Sequence, residues 1–283
     1  MKRLGTIKIY KPASVDKKGF FGLLPMMAKD LIKARELIWR LFLRNFKARY
    51  KQSVLGWGWI FILPLVAVGT FWMLNQSGTI RIENISVPYP IYGLIGISLW
   101  QVFSGGLSSA SASIISAGSF VVKINFSKEA LVISSLGTVI VDFLIRIILI
   151  LIIYLIYGLT PTAWLILLPI LALPLLFLTL GLGFITSLLN AVAQDIQTFI
   201  NVALGFFLFS MPIMYTASET GLVYQINKFN PVFFLINVPR DIIISANFDH
   251  LNEFLISSLI AIIIFLFGWI IFNKAQSKIV EAV

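Results

Sequence analysis

A chain of 283 residues that is 59% hydrophobic and only 12% charged, with mean hydropathy +0.95, is not built as a soluble domain, where about a quarter of residues are charged. The formal net charge is +10, but most of the excess sits at one end, which argues for orientation in a membrane over nucleic-acid binding. With no cysteine and a single histidine, His250, a disulfide framework, thiol chemistry and a His- or Cys-based metal site are excluded.

Residues 1–27 are mixed and Lys-rich. Thr6-Ile7-Lys8-Ile9-Tyr10 reads as a short strand or a tail. Pro12, Asp16, Lys17 and Lys18 interrupt any apolar run, so the first 25 residues do not read as a signal peptide. Over residues 28–52 the pattern changes. Lys29, Lys33, Glu36, Arg40, Arg44, Lys47 and Lys51 recur at spacings of three or four, which places them on one helix face. Leu31, Ala34, Ile38, Leu41, Phe42 and Phe46 supply the apolar side. A helix of this kind lies in the membrane interface, cations toward water and anionic headgroups, apolar residues toward acyl chains. It either orients the protein or docks a cytoplasmic partner.

Residues 53–273 read as six spans. Span 1, about Val54 to Leu74, is long enough for a hydrocarbon core of about 30 Å at about 1.5 Å per residue. Pro64 should kink it unless neighbours satisfy the freed carbonyl. Trp57 and Trp59 mark one interface and Trp72 the other. Span 2, about Ile91 to Ala117, ends in the small-residue run Ser104 to Ser113, which either lets helices approach closely or forms a hydroxyl-lined wall. Span 3, about Ala130 to Tyr157, contains Asp142 and Arg146 at i, i+4. Each charge alone costs about 2.5–3.5 kcal/mol at mid-membrane on the insertion scale. The two are therefore read as an intramembrane pair, either structural or on a transport path. Span 4 runs from about Ala163 to Asn190, with Pro169 and Pro174 early and Gly181 and Gly183 late. Span 5 is about Thr198 to Tyr215 and span 6 about Phe254 to Phe272. Between them, Val232 to Ile236 and Ile242 to Ile244 are too short to span and read as re-entrant or interfacial helices. Residues 274–283 form a tail with Lys274 and Lys278.

The run Arg44-Asn45-Phe46-Lys47-Ala48-Arg49-Tyr50-Lys51-Gln52-Ser53-Val54-Leu55-Gly56, followed by Trp57, Trp59 and Pro64, resembles the start of the membrane subunits of ABC exporters for polysaccharides, the Wzm-like O-antigen permeases and their teichoic-acid and capsule relatives. The resemblance implies an all-α integral membrane protein with six transmembrane helices, an N-terminal amphipathic interface helix and short re-entrant or gate helices between spans 5 and 6. It implies a homodimer with two copies of a separate cytoplasmic ATPase subunit. On that likeness Arg40, Arg44, Lys47, Arg49 and Lys51, with Lys128 and Glu129 in the loop after span 2, take up the ATPase's motion. The family often has Pro-Arg-Glu in that loop, where this chain has Ser127-Lys128-Glu129, and commonly Arg-Asp where this chain has Gln194-Asp195. Asn230-Pro231 and the downstream Arg240 resemble the family's outer gate; the plainer reading is a helix start at Pro231. Trp57, Trp59, Trp72, Trp100 and Phe103 are candidates for an aromatic conduit lining against sugar rings, although span and belt positions also explain them.

With six spans, 18 of the 22 Lys and Arg fall on the side of the termini and 3 on the other, with Arg146 inside the membrane. By the positive-inside rule both termini are cytoplasmic, here in the bacterial inner membrane. No G-x-x-x-x-G-K-[ST] phosphate loop occurs. The expectation is therefore a multi-pass permease with no cofactor of its own, ATP and Mg belonging to the partner ATPase, and lipid-linked polysaccharide as cargo. The competing class is a proton-coupled secondary carrier, which needs internal repeats and several intramembrane acids, or a membrane glycan enzyme, which needs clustered acids. Glu83, Glu219, Asp241, Asp249 and Glu253 lie on the outer side but on separate segments.

Overall fold

The computed structural model describes residues 20–51, 55–78, 85–118, 126–216 and 221–282. The strand-or-tail at 6–10, the loop segment 119–125, Arg81 and Glu83, and the side chains of Lys51 and Trp57 lie outside the described residues. All regular structure among the described residues is helical. In chain order it comprises α1 (Phe20–Lys33), α2 (Arg35–Lys51), α3 (Trp59–Gln76), α4 (Tyr89–Ala117), α5 (Glu129–Ile156), α6 (Leu168–Leu171), α7 (Leu173–Val192), α8 (Asp195–Ser210), α9 (Leu222–Asn227), α10 (Pro231–Ser245) and α11 (Leu251–Ala282).

The amphipathic helix begins earlier than its polar periodicity indicates, at Phe20 inside the segment read as tail. It is interrupted only by a turn at Ala34, whose backbone still bonds to Asp30 and Ile38. α3 runs unbroken through the buried Pro64. The fourth hydrophobic stretch starts irregularly, as a 3-10 turn over Ala163–Leu167 and then the short α6, before α7. Pro174 explains the break, because it has no N–H for the carbonyl four residues back.

Among the described residues, five helical stretches are long and apolar enough to cross a membrane: Trp59–Gln76, Tyr89–Ala117, Glu129–Ile156, Ala163–Val192 and Leu251–Gln276. The expected fifth span is α8, only 16 residues long, or about 24 Å against a hydrocarbon core of about 30 Å. Its helix stops at Ser210, and the chain continues to Thr216 without regular structure. Among the described residues five helices thus have spanning length where six spans were expected, and α8 falls short of it.

α4 is the axis of the bundle. It packs on α3, α5, α7, α8 and α10, and most of its residues are buried. Its small-residue half makes this possible. A side chain at Gly106 would meet the Thr179 methyl, and one at Gly183 would meet Ala110. α7 then uses its other face against α11, where Gly181 and Gly268 lie backbone to backbone with no room for a Cβ. Without a hydrophobic drive between helices in lipid, such close approach is what holds them together.

Gly268→Leu should therefore force α7 and α11 apart and cost about 1–3 kcal/mol or more, whereas Gly69→Ala, with nothing near the added methyl, should be close to neutral. Thermal unfolding of both variants in one detergent checks this; equal midpoints would refute the packing argument.

Candidate functional site

Two of the polar sites among the described residues hold a buried arginine. The first lies where α2 meets α5. The apolar face of α2 packs on α5. Leu41 is buried, and the Phe42 ring fills the space that a side chain at Gly137 would need. One turn on from the Trp39–Phe42–Phe46 aromatic row, Arg49 reaches inward, its Nη1 2.8 Å from Asp142 Oδ2. Arg146 shares the small cavity beside that contact with Gln101, Gly105, Ser109 and Val139. Asp142 is 3% exposed and Arg146 5%. The carboxylate is thus bridged to a guanidinium from the amphipathic helix, and Arg146 of its own helix lines the same small cavity. The Asp142–Arg146 spacing was legible in the sequence; the approach of Arg49, 93 residues away, was not.

Arg40, Arg44 and Lys47 of α2 stay outside. Arg40 bridges to Glu36 at 2.6 Å with both side chains exposed, Arg44 bonds to Asn45, and Lys47 is exposed. α2 therefore presents a cationic surface on one side and is pinned to α5 on the other. Lys128 and Glu129 are buried instead, against the end of α11. Asn273 Nδ2 donates to Glu129 Oε1 at 2.6 Å, and the Lys128 N–H donates to Gln276 Oε1 at 3.1 Å. The Lys128 ammonium lies over the Phe126 ring, 4.3 Å from its centroid, and burial lowers its pKa from the ordinary lysine value.

A polar seam that the sequence reading missed joins α4, α7 and α8. Gln197 Nε2 donates to Ser108 Oγ at 2.9 Å, Ser108 Oγ donates to Asn201 Oδ1 at 2.9 Å, and Asn190 Nδ2 donates to the Ser111 carbonyl at 3.1 Å. Its signal was three amides in otherwise apolar helices. The aromatic candidates divide. Trp59 and Trp72 are exposed on α3, whereas Trp100 and Phe103 pack against each other in the core, 5.7 Å between centroids.

The second site is the irregular stretch after α8. Arg240 on α10 is 4% exposed. Its Nη1 donates to the Ile213 carbonyl at 2.8 Å and lies 3.5 Å from that of Pro212; its Nε donates to Asp241 Oδ1 at 3.3 Å. Its guanidinium also stacks on Tyr92, 4.0 Å from the ring centroid. The Tyr89 and Tyr92 hydroxyls donate to the Met214 and Tyr215 carbonyls at 2.9 and 3.2 Å. Asn230 caps α10, accepting from Val232 N at 3.0 Å, with Pro231 in the first turn, so this pair starts a helix while Arg240 holds the backbone beside it. Next to Arg240 opens a cavity of about 400 Å³ whose walls include Tyr224, Asn237, Asp241, Asp249 and His250. Asp241 and Asp249, on separate segments in the sequence, come to one cavity. Among the described residues no cluster of His, Cys, Asp and Glu could hold a metal ion.

The ABC-2 type transporter family model matches residues 36–244, from the start of α2 to the end of α10. The chain belongs to the ABC-2 type transporter family. It is accordingly a transporter membrane subunit and not an enzyme, and as an ABC-type subunit it works with an ATPase subunit. Among curated relatives, two proteins of Klebsiella pneumoniae named O-antigen export system permease protein RfbA are each 24% identical over 243 residues, covering 84% of this chain and 91% of the relative. A protein of the same name from Myxococcus xanthus is 27% identical over 192 residues, covering 68% of this chain and 73% of the relative. The family match takes in Arg49, Asp142, Arg146 and Arg240 of this ABC-2 subunit.

Two outcomes follow for these sites. Asp142→Asn removes a buried carboxylate from its bridge to Arg49 and should destabilise by about 3–5 kcal/mol. Arg49→Gln should cost less, because the Arg49 side chain is half exposed (49%) and part of its charge is already solvated. Unfolding midpoints in nanodiscs rank the two, and an equal loss would contradict the geometry. Arg240→Met leaves the Ile213 carbonyl without its donor and should lower stability by about 1–3 kcal/mol, with the first increase in hydrogen exchange at residues 211–216.

Proposed function

We propose that this ABC-2 subunit exports lipid-linked polysaccharide, of the O-antigen type, across the bacterial inner membrane. Two copies form the conduit as a homodimer, two cytoplasmic ATPase subunits drive it, and both termini face the cytoplasm. ATP and Mg are held by the ATPase, and this chain carries no cofactor. The names of the relatives support the cargo. The division of charge along the chain supports the orientation, provided α8 completes the sixth crossing.

The observation that carries the mechanism is the two-sided use of α2. Its outer face offers Arg40, Arg44 and Lys47 to a partner, and its inner face is fixed to α5 through Phe42 and the Arg49–Asp142 bridge. A tilt imposed on the outer face must move α5 or break that bridge. Lys128 and Glu129, tied to α11, give the ATPase's motion a second point of entry. In the conduit, exposed Trp59 and Trp72 present flat apolar faces to the C–H faces of sugar rings, while the Ser108–Gln197–Asn201 seam supplies partners for hydroxyls.

The test is ATP hydrolysis by the cognate ATPase, alone and with this protein in nanodiscs, with and without undecaprenyl-linked glycan. The expected result is complex formation and glycan-stimulated hydrolysis. Arg44→Glu with Lys47→Glu should weaken ATPase binding by about tenfold or more with membrane insertion unchanged. Normal glycan export by that double variant would overturn the coupling role of α2.

A further inference from the structure

α9 is short, yet a row of large apolar side chains stands on one of its faces. Leu222, Ile226 and Phe229 are 82%, 74% and 82% exposed. Their spacing of four and three places them in one line. The Lys228 N–H donates to the Tyr224 carbonyl at 2.8 Å, which carries the helical turn on toward Phe229. The opposite face is fixed. Asn227 is buried, and its Nδ2 donates to the Ser210 carbonyl at the end of α8 and to the Val223 carbonyl, both at 2.9 Å. Tyr224 meets Phe233 of α10 edge-on at 5.7 Å, and its ring lies 6.2 Å from that of His250, just before α11. α9 therefore sits at the level where α8 ends and α11 begins. Close by in the chain, the exposed Phe248 meets the exposed Trp164 edge-on at 5.4 Å. Trp164 opens the spanning stretch Ala163–Val192, and Phe248 precedes the stretch Leu251–Gln276. Aromatic residues at the ends of spans mark the border between hydrocarbon and water.

We propose that α9 is an interfacial anchor docked on the phospholipid bilayer, with Leu222, Ile226 and Phe229 at the acyl boundary and Lys228 at the headgroup phosphates. α11 begins at that level and exposes Leu255, Leu259 and Ile263, so apolar surface runs on from the border into the span. Lys228 separates lipid from other occupants. Its Nζ donates to Gln225 Oε1 at 2.6 Å, and its ammonium lies over the Phe229 ring, 5.2 Å from the centroid. The cation thus stands at the rim of the apolar row, as a lysine does when its stem lies on lipid and its charge reaches phosphate. Contact with a second copy would trap that lysine, a residue depleted from protein interfaces. Open water would leave the apolar row uncovered. Because Asn227 holds the Ser210 carbonyl, the level at which α9 rests sets the level at which α8 gives way to residues 211–216. The anchor requires only that the chain spans a membrane and is independent of the cargo.

The chain has no cysteine, so a single introduced one carries a nitroxide label without competition. Leu222→Cys, Ile226→Cys, Phe229→Cys and Lys228→Cys, all at exposed positions that do not threaten folding, are labelled in the full chain in nanodiscs of phosphatidylethanolamine and phosphatidylglycerol. Collision of the label with oxygen, which partitions into lipid, is compared by electron paramagnetic resonance with collision with a water-soluble nickel chelate. Positions 222, 226 and 229 should favour oxygen, at a depth of about 5–10 Å below the headgroup level, and position 228 should favour nickel. Nickel preference at 222, 226 and 229 would place the row in water and overturn the anchor. Shielding from both reagents there would mean a protein contact and overturn it too, with dipolar broadening identifying a second copy as the occupant. In the labelled Leu222→Cys protein, Ile226→Asp with Phe229→Asp should turn the oxygen preference into a nickel preference and raise hydrogen exchange at residues 211–216. Ile226→Leu with Phe229→Leu should change neither. A label that keeps its oxygen preference in the double Asp variant would sink the anchor, and unchanged exchange would refute its hold on the end of α8.

Discussion

Backbone groups inside a hydrocarbon layer have no water to bond to, so any stretch that leaves the helix must find its partners within the protein. In this chain the demand falls on residues 211–216. The four carbonyls of Pro212 to Tyr215 meet Arg240, Tyr89 and Tyr92, and Gly96 lets the segment lie directly on α4, since a Cβ there would collide with the Ile213 carbonyl. A short α8 is tolerable because of this arrangement. The same requirement fixes α10: Arg240 can reach those carbonyls only if its helix starts where Asn230 and Pro231 start it. A buried arginine in this fold is therefore a replacement for a missing turn of helix before it is anything else.

The inner site obeys a related rule with charge in place of backbone. A lone aspartate in a span is costly, and this one is bridged by Arg49, with Arg146 lining the same cavity. Arg146 follows from helical spacing on α5. Arg49 comes from α2, a helix whose Arg40, Arg44 and Lys47 are exposed. The bridge therefore serves two ends: it neutralises Asp142 and it anchors α2. Its strength is asymmetric, since Asp142 has almost no contact with solvent and Arg49 has much. Breaking it from the arginine side is the less costly route, which suits a contact that has to yield under load.

How much of this could be read in the residues depends on the range of the interaction. The apolar runs, the helix over α2 and the start of α10 at Asn230-Pro231 are local, and they were legible; the family resemblance carried by residues 44–56 agrees with the family match. The end of span 5 was misplaced because Met211, Ile213, Met214 and Tyr215 continue the hydrophobic run past the point where the helix stops; only Pro212 hinted at it. Trp100 and Phe103 looked like lining because aromatic residues in a span suit a wall, a lipid face and a core equally well. The Arg49–Asp142 contact, the amide seam and the meeting of Asp241, Asn237 and Asp249 at one cavity depend on how distant segments fold together, and nothing in their spacing reveals them.

The two sites differ in what motion they permit. α4, buried on nearly every side and fitted to α7 through Gly106 and Gly183, has no room to shift without overpacking. α2 touches the bundle mainly along α5, and α5 in turn exposes much of its second half. A force applied to the cationic face of α2 therefore meets least resistance through α5, with α4 and α7 as the fixed frame. The α10 end lies across that frame: Arg240 and Ile213 are held on α4 itself, through Tyr92 and the space left at Gly96. Movement there requires that these contacts to α4 be exchanged for others, so this end resists the displacement that α5 permits.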